Sequence, residues 1–327
     1  MQKVTRNYTI ATIVVLTIAL IFFTWQNFYV REFLSLAAAF IRTSSDKVQS
    51  VGGQTNILIM GKAGKEHAGG DLTDTMILAS LSLTSPKLTF VSIPRDLWIP
   101  EIRAKINSAY YYGGTSLAKE SAAKVAGAPV QYSVVIDFSG FKDVVDVLGG
   151  VKINIENSFT DNLYPIAGRE NDTCGGDRTY KCRYETVTFS SGEQLMDGTT
   201  ALKFVRSRHA EGPEGTDTAR EARQQKVIAA IKNKLLSPAT FLNPKKDFEL
   251  LSLARNLVQT DINGTEGAVL ARKVLAARGS VRQLLIPQEL LFNPPATKAY
   301  DNLYVFIPRL GNGRWSEVNK WFASILN

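Results

Sequence analysis

The sequence predicts a layered α/β domain held behind one membrane-spanning helix. Three observations carry that prediction: an uncharged apolar run near the N-terminus, short apolar strands alternating with amphipathic helices, and ordinary globular proportions over 327 residues, 45% apolar and 21% charged. Alternating strands and helices imply a sheet covered by helices.

No charge falls between Arg6 and Arg31, and residues 8–30 are crowded with Ile, Val, Leu and Phe. A bilayer core needs about 20 such residues as a helix. Trp25, Phe28 and Tyr29 read as an interfacial belt, and no small-residue cleavage pattern follows, so the run is expected to stay as an anchor. Residues 1–7 are then cytoplasmic and 31–54 a juxtamembrane helix and polar linker. Lys3 and Arg6 before the span nearly balance Arg31 and Arg42 after it. Orientation therefore leans on Cys174 and Cys182, the only two cysteines, in the stretch CGGDRTYKC. A small disulfide loop there suits an oxidising compartment and places the bulk of the chain outside the cytoplasm; the alternative is two free surface thiols.

The folded core is expected over residues 55–240. TNILIMG, TMILASLSL and KLTFVSI read as buried strands, with a glycine-rich loop between the first two. VQYSVVIDF and VKINIE add strands, while SLAKESAAKVAG and FKDVVDVLGG have helical spacing and glycine stops. A loop-rich insertion at about 157–185 carries the cysteines. GEQLMDGTTALKFVRSRH reads as a turn, a helix and an exit into a loop, and residues 217–236 as a helix capped by Thr216 or Asp217, with Val227, Ile231 and Leu235 facing inward. Residues 241–327 read as two amphipathic helices (246–258 and 266–278), a strand at 282–287 and a closing helix at 315–326, packed on or beside the core.

The net charge of +8 favours anionic partners. Chemistry-bearing residues cluster at element ends. TFVSIPRDLW delivers Arg95 and Asp96 at the C-terminal edge of a strand, where ligands collect in open α/β sheets, and Arg is suited to bidentate phosphate binding. KFVRSRH supplies Arg206 and Arg208, expected on one side of an extended segment. TDTAREARQQ puts Arg220 and Gln224 on one helix face near its N-terminus, with Arg223 facing elsewhere toward solvent. Taken singly, each arginine is as readily a surface ion pair; together they point to a polyanion site. Asp71 and Asp74, just before a buried strand, have the hard oxygens that suit Mg²⁺ or Mn²⁺ shared with phosphates, or else serve as turn caps. His67 lacks the company zinc needs. No Ser/His/Asp set, phosphate-cradling glycine loop or cysteine nucleophile is apparent, and no helix-turn-helix or aromatic-basic stacking pattern supports nucleic acid as a partner.

The segments NILIMG, LTDTMILASL, VSIPRD, KINSAYYYGG, IDFSGFKDVVDVLGGV, FSSGEQLMDGTTALKFVRSRH and DTAREARQQ, running in that order from Asn56 to Leu236, resemble the LytR/CpsA/Psr family of cell-envelope glycopolymer transferases. The resemblance implies a three-layer α/β/α sandwich with a central mixed sheet and a hydrophobic pocket for a polyprenyl chain. It implies a single-pass bacterial membrane protein with its domain outside, moving a phosphoglycan from polyprenyl pyrophosphate to a peptidoglycan hydroxyl. By position, Arg95, Arg206, Arg208, Arg220, Gln224 and Lys105 match the pyrophosphate site, and Asp74 the metal-linked carboxylate; Asp96 or Asp74 accepts a proton or orients an arginine. The family's arginine two residues before that aspartate is Leu72 here, and its early aspartate is missing from GKAG, so Asp71 and Lys62 or Lys65 are expected in compensation. The rival reading is a non-catalytic polyprenyl-lipid-binding regulator of the envelope.

Overall fold

The computed structural model describes residues 40–62, 71–235, 237, 240 and 244–326. The apolar run at 8–30, most of the glycine-rich loop with Lys65 and His67, and Pro238 lie outside the described residues. Among the described residues no helix is long and apolar enough to cross a membrane.

Strands β1 (Gln54–Lys62), β2 (Thr73–Ser82) and β3 (Leu88–Ser92) form an antiparallel meander in which Leu58 pairs with Leu78, and Leu78 with Val91. After β3 the chain makes a small hairpin, β4 (Trp98–Ile99) and β5 (Ala104–Lys105), then helix α1 (Ala109–Ala126). Helix α1 is broken at Gly113 and Gly114, starts earlier than its alanine-rich spacing predicts, and ends on Gly127 at φ 66°, the left-handed stop a glycine supplies. It leads into β6 (Tyr132–Asp137), which lies parallel to β1.

A second packed unit follows: α2 (Phe141–Val147), β7 (Val151–Ile155), β8 (Phe159–Pro165), β9 (Tyr184–Phe189), β10 (Gly192–Met196), α3 (Gly198–Arg206) and α4 (Asp217–Leu235). The expected turn before α3 is instead strand β10, antiparallel to β7. Phe159, Phe189 and Phe204 meet at centroid distances of 5.0, 5.1 and 6.0 Å and centre this core. Thr216 caps α4 by accepting from the Ala219 N–H at 3.2 Å. Val227 is buried, but Ile228 and Leu235 are exposed, so the inward stripe of α4 is narrower than its apolar spacing suggests.

The chain then returns to the first sheet. Helices α5 (Pro244–Leu257) and α6 (Gly264–Ala276) flank β11 (Val258–Thr260), and β12 (Val281–Leu285), β13 (Leu291–Phe292), β14 (Ile307–Pro308) and α7 (Ser316–Leu326) follow. The central sheet has the order β11-β6-β1-β2-β3-β12 and is mixed, since β6 runs parallel to β1 and β12 parallel to β3 while the other neighbours are antiparallel. One face carries Leu58, Met60, Leu78 and Val91 against Ala118, Ala122 and Val125 of α1 and Val318 and Phe322 of α7. The other carries Ile57, Ile59, Leu81 and Leu88 against Val269 and Leu270 of α6. The architecture is three-layer α/β/α, and cover on both faces explains why the strands read as nearly continuous apolar runs. The expected polar linker is partly bound to the domain, since Val48 is buried with the α6 layer and the Gln49 N–H donates to the Tyr132 hydroxyl at 2.9 Å.

Candidate active site

The ends of β1, β3 and β6 and the start of β2 fall on one edge of the sheet. Four sequence-predicted residues meet there. The Ile93 N–H closes the last bond from the β3 exit to Met76 O at 2.9 Å, and Pro94 turns the chain outward. Arg95 then donates from Nη1 to Asp74 Oδ1 at 2.6 Å and holds Asp96 Oδ2 at 3.6 Å from Nε. Lys105, delivered by the β4–β5 hairpin, donates to Asp96 Oδ1 at 2.6 Å. Two cations and two carboxylates therefore alternate as Asp74, Arg95, Asp96, Lys105. Arg95 and Asp74 are 53% and 49% exposed, so this pair remains open to an incoming anion.

Asp71 is not part of that row; it lies 3.5 Å from Lys62, which also sits 3.3 Å from Asp137. Lys62 and Asp137 are register partners at the ends of β1 and β6. Burial pulls the Lys62 ammonium down, but the hydrogen bond and charge of Asp137 outweigh it and hold its pKa above the ordinary lysine value. Asp137, which the sequence reading did not single out, ends an apolar strand and caps the short turn Phe138–Gly140 by accepting from the Ser139 N–H at 2.9 Å; the rule that drew attention to the exit of β3 applies to this strand end as well.

The remaining predicted residues gather on the second unit. Arg206 is the last residue of α3 rather than part of an extended segment, and Ser207 is the cap, so Arg206 and Arg208 do not share a side by strand alternation. The cause is Asp161, 0% exposed, which accepts from Ser207 Oγ at 2.7 Å and from the N–H groups of Arg208 at 3.0 Å and His209 at 3.1 Å, while Leu163 N–H donates to its other oxygen at 3.0 Å. Burial pushes the Asp161 carboxyl up, yet these donors outweigh it and hold the pKa below the usual aspartate value. Burial raises the Tyr164 phenol despite the neighbouring charge of Arg206, which hydrogen-bonds it. Arg208 and Gln224 are exposed and Arg220 half-buried.

Arg223 corrects the sequence reading. It is 3% exposed, not solvated: its guanidinium donates to Phe204 O at 3.0 Å, Ser207 O at 2.8 Å and Glu214 O at 2.7 Å, and pairs with Glu214 Oε2 at 3.1 Å. Val227, four residues on, lies on the same inward face. Arg223 thus holds the end of α3, from which Arg206 and Arg208 emerge.

Among the described residues, one group gathers three side chains of metal-binding type, Asp172, Cys174 and Cys182. The two cysteines are joined in a disulfide with Cα atoms 5.6 Å apart, so this is no metal site. Asp74 offers a hard, half-exposed carboxylate, which fits an ion that takes one protein oxygen and fills its shell with water and phosphate; Asp71 is held away on Lys62. Beside Arg95, a cleft of about 700 Å³ is lined by Ile93, Pro94, Leu285, Ile286, Pro287, Leu291 and Phe306, with Ser92 and Gln288 at its polar points.

Fold and site together define a mixed-sheet α/β protein with an arginine-centred ionic cluster at its strand ends. The model of the LytR_cpsA_psr family matches residues 34–312, and the chain belongs to that family. The match extends the resemblance read from the short segments through most of the C-terminal part. The polyisoprenyl-teichoic acid--peptidoglycan teichoic acid transferase TagU of Enterococcus faecalis is 29% identical over 216 residues, 64% of this chain and 62% of that protein. The regulatory protein MsrR of Staphylococcus aureus is 29% identical over 215 residues, 64% of this chain and 57% of that protein. The alignments thus span less than two thirds of these relatives' own lengths. The crystal structure of protein gbs0355 from Streptococcus agalactiae shares the fold, at TM-score 0.50 and 24% identity over 84% of this chain and 88% of that one.

Proposed function

We propose that this protein transfers a phosphoglycan from a polyprenyl-pyrophosphate carrier to a hydroxyl of peptidoglycan. The observation that carries the reading is Arg95 set between Asp74 and Asp96 at the strand-end edge of the sheet, in a family one of whose members is named as a teichoic acid transferase.

Arg95 exchanges Asp74 for a pyrophosphate oxygen, because a phosphate anion offers two oxygens to the planar fork. Lys105 holds Asp96 in a fixed orientation. The acceptor oxygen forms a bond to the glycan-side phosphorus, the bond from that phosphorus to the bridging oxygen breaks, and polyprenyl phosphate leaves. The acceptor proton passes to a carboxylate of the row, Asp96 or the released Asp74. Asp74 would hold Mg²⁺ or Mn²⁺, which would supply charge neutralisation for the pyrophosphate. Arg206, Arg208, Arg220 and Gln224 extend the anion site along the substrate, and the apolar cleft beside Pro94 offers surface to the first units of the lipid. Membrane anchoring by residues 8–30, with the domain outside, places the chain where carrier and acceptor meet; the disulfide agrees with that compartment.

The naming of MsrR as a regulatory protein supports a second reading, in which the same site binds the lipid without turnover. Release of polyprenyl phosphate from a short-glycan polyprenyl pyrophosphate by the full chain in detergent, with Mg²⁺ or with EDTA, decides between them. Metal-dependent release lost in Arg95→Ala supports transfer; tight lipid binding without release under any metal makes the protein a lipid-binding envelope factor.

A further inference from the structure

The C-terminal half of α6 carries a surface that the transfer reading does not use. Arg272 donates from Nη1 to the carbonyls of Phe40 at 2.8 Å and Ile41 at 3.0 Å, and from Nη2 to Thr43 O at 2.6 Å. With Val48 buried and Gln49 held by Tyr132, the segment from Phe40 to Gln49 is strapped to the α6 side of the sheet. The apolar run ends at residue 30, so nine residues, 31–39, separate it from Phe40. Even fully extended they reach about 30 Å. The α6 face is therefore kept close to wherever that run is embedded, and cannot swing to the far side of the domain.

The face has the composition such a position calls for. Ile41 and Leu275 are 73% and 51% exposed, and Val274 is exposed beside them. Arg272 and Arg278 line the same recess, and Arg42 and Lys273 adjoin Ile41 and Arg272 in the chain. Arg272 and Lys273 donate to carbonyl oxygens, which carry no net charge, so both cations keep their field. A shallow recess of about 540 Å³ lies between Phe40, Arg272, Leu275 and Arg278. Exposed apolar side chains ringed by Arg and Lys are the pattern that seats at a headgroup boundary, where anionic lipid attracts the cations and the apolar groups enter the interface.

We infer that this face of α6, with Ile41 and Arg42, is a docking surface for anionic lipid headgroups that lays the domain on the bilayer in a fixed orientation. The inference rests on the membrane-anchored reading but not on the chemistry of transfer. The strand-end site then works at a set height above the membrane.

The test uses the full chain in lipid nanodiscs. Leu275→Cys leaves a single free thiol, since Cys174 and Cys182 are paired, and an environment-sensitive fluorophore is attached there. In discs containing phosphatidylglycerol the emission shifts to the blue and nitroxide-bearing lipids quench it; in phosphatidylcholine discs both signals weaken. Arg42→Glu with Arg278→Glu reduces the seated population roughly fivefold or more for each reversed charge. A label at Leu195→Cys, exposed on β10, shows neither signal. A Leu275 label that stays water-exposed in embedded chains overturns the docking surface and leaves the anchor and the transfer reading standing. Protection independent of lipid charge but dependent on protein concentration means a second copy covers the face, and also overturns it. A chain that does not enter the disc removes the anchor and this inference together, while release of polyprenyl phosphate in detergent still tests transfer.

Discussion

Arg95 Nη1 and Asp74 Oδ1 stand 2.6 Å apart, an ion pair between the exit of β3 and the start of β2 with both partners about half exposed. Such a pair contributes less than about 1 kcal/mol to stability, so its placement matters more for what it can bind than for what it holds together. Arg95→Ala is expected to leave the melting temperature within about 2 °C and to lower release of polyprenyl phosphate by on the order of 100-fold or more. Thermal melting and the release assay on one preparation check both halves.

Arg223 behaves in the opposite way. Its guanidinium is buried on three carbonyls and the Glu214 carboxylate, and Arg223→Met strands all of them. The expected cost is about 3–5 kcal/mol, a fall in Tm on the order of 10 °C. Arg208→Ala, at an exposed position one residue past the Ser207 cap, leaves Tm near the native value. Calorimetry on the two variants separates the buried arginine from the surface one.

Asp161 gives the fold a built-in acid limit. Its pKa is held below the usual value, so the stability it contributes is fully present above about pH 4 and is lost as pH falls through the lowered folded pKa. Asp161→Asn cannot satisfy donors on both oxygens, since its amide N–H group must face either Leu163 N–H or the Ser207–His209 side. It is expected to lose about 1–3 kcal/mol at neutral pH, and its Tm varies less between pH 5 and pH 2 than that of the native chain. Melting curves across that range provide the check.

The Cys174–Cys182 disulfide closes a small loop in the exposed excursion between β8 and β9. Closing so short a loop is worth about 2–3 kcal/mol locally. Cys174→Ser with Cys182→Ser is expected to retain transfer and the main melting transition, while trypsin cuts in the stretch holding Arg169, Arg178, Lys181 and Arg183. Limited proteolysis followed by intact mass shows whether cleavage is confined there.

The central strands were legible because each is an apolar run short enough for a strand and bounded by polar turns, and TFVSIPRD announced both the end of β3 and the charged pair that joins the ionic row. Arg206 and Arg208 were placed wrongly because nothing local to KFVRSRH shows that α3 runs through Arg206. That boundary is set by Asp161, far earlier in the chain, and only the fold brings the carboxylate to the helix end. Arg223 was misread for a related reason: in TDTAREARQQ the arginines look alike, and burial is decided by carbonyls supplied from the end of α3 and from the Glu214 turn. Asp71 was paired with Asp74 on proximity in sequence, yet the strand start between them sends one toward Lys62 and the other toward Arg95. Strand β12 was expected as an isolated piece near 282–287, and its parallel partner β3 lies too far back in sequence for local pattern to reveal.

Both outer strands of the central sheet, β11 and β12, come from residues 258–260 and 281–285. A chain that emerges N-terminus first thus completes β6, β1, β2 and β3 while both flanks still present unpaired N–H and C=O groups. The β6 flank is covered once β11 arrives, and the β3 flank stays bare until β12 does, an interval in which another copy's strand can add in its place. Truncation before β12 would therefore do more than remove a tail: it would leave the β3 edge permanently open to the strand of another copy.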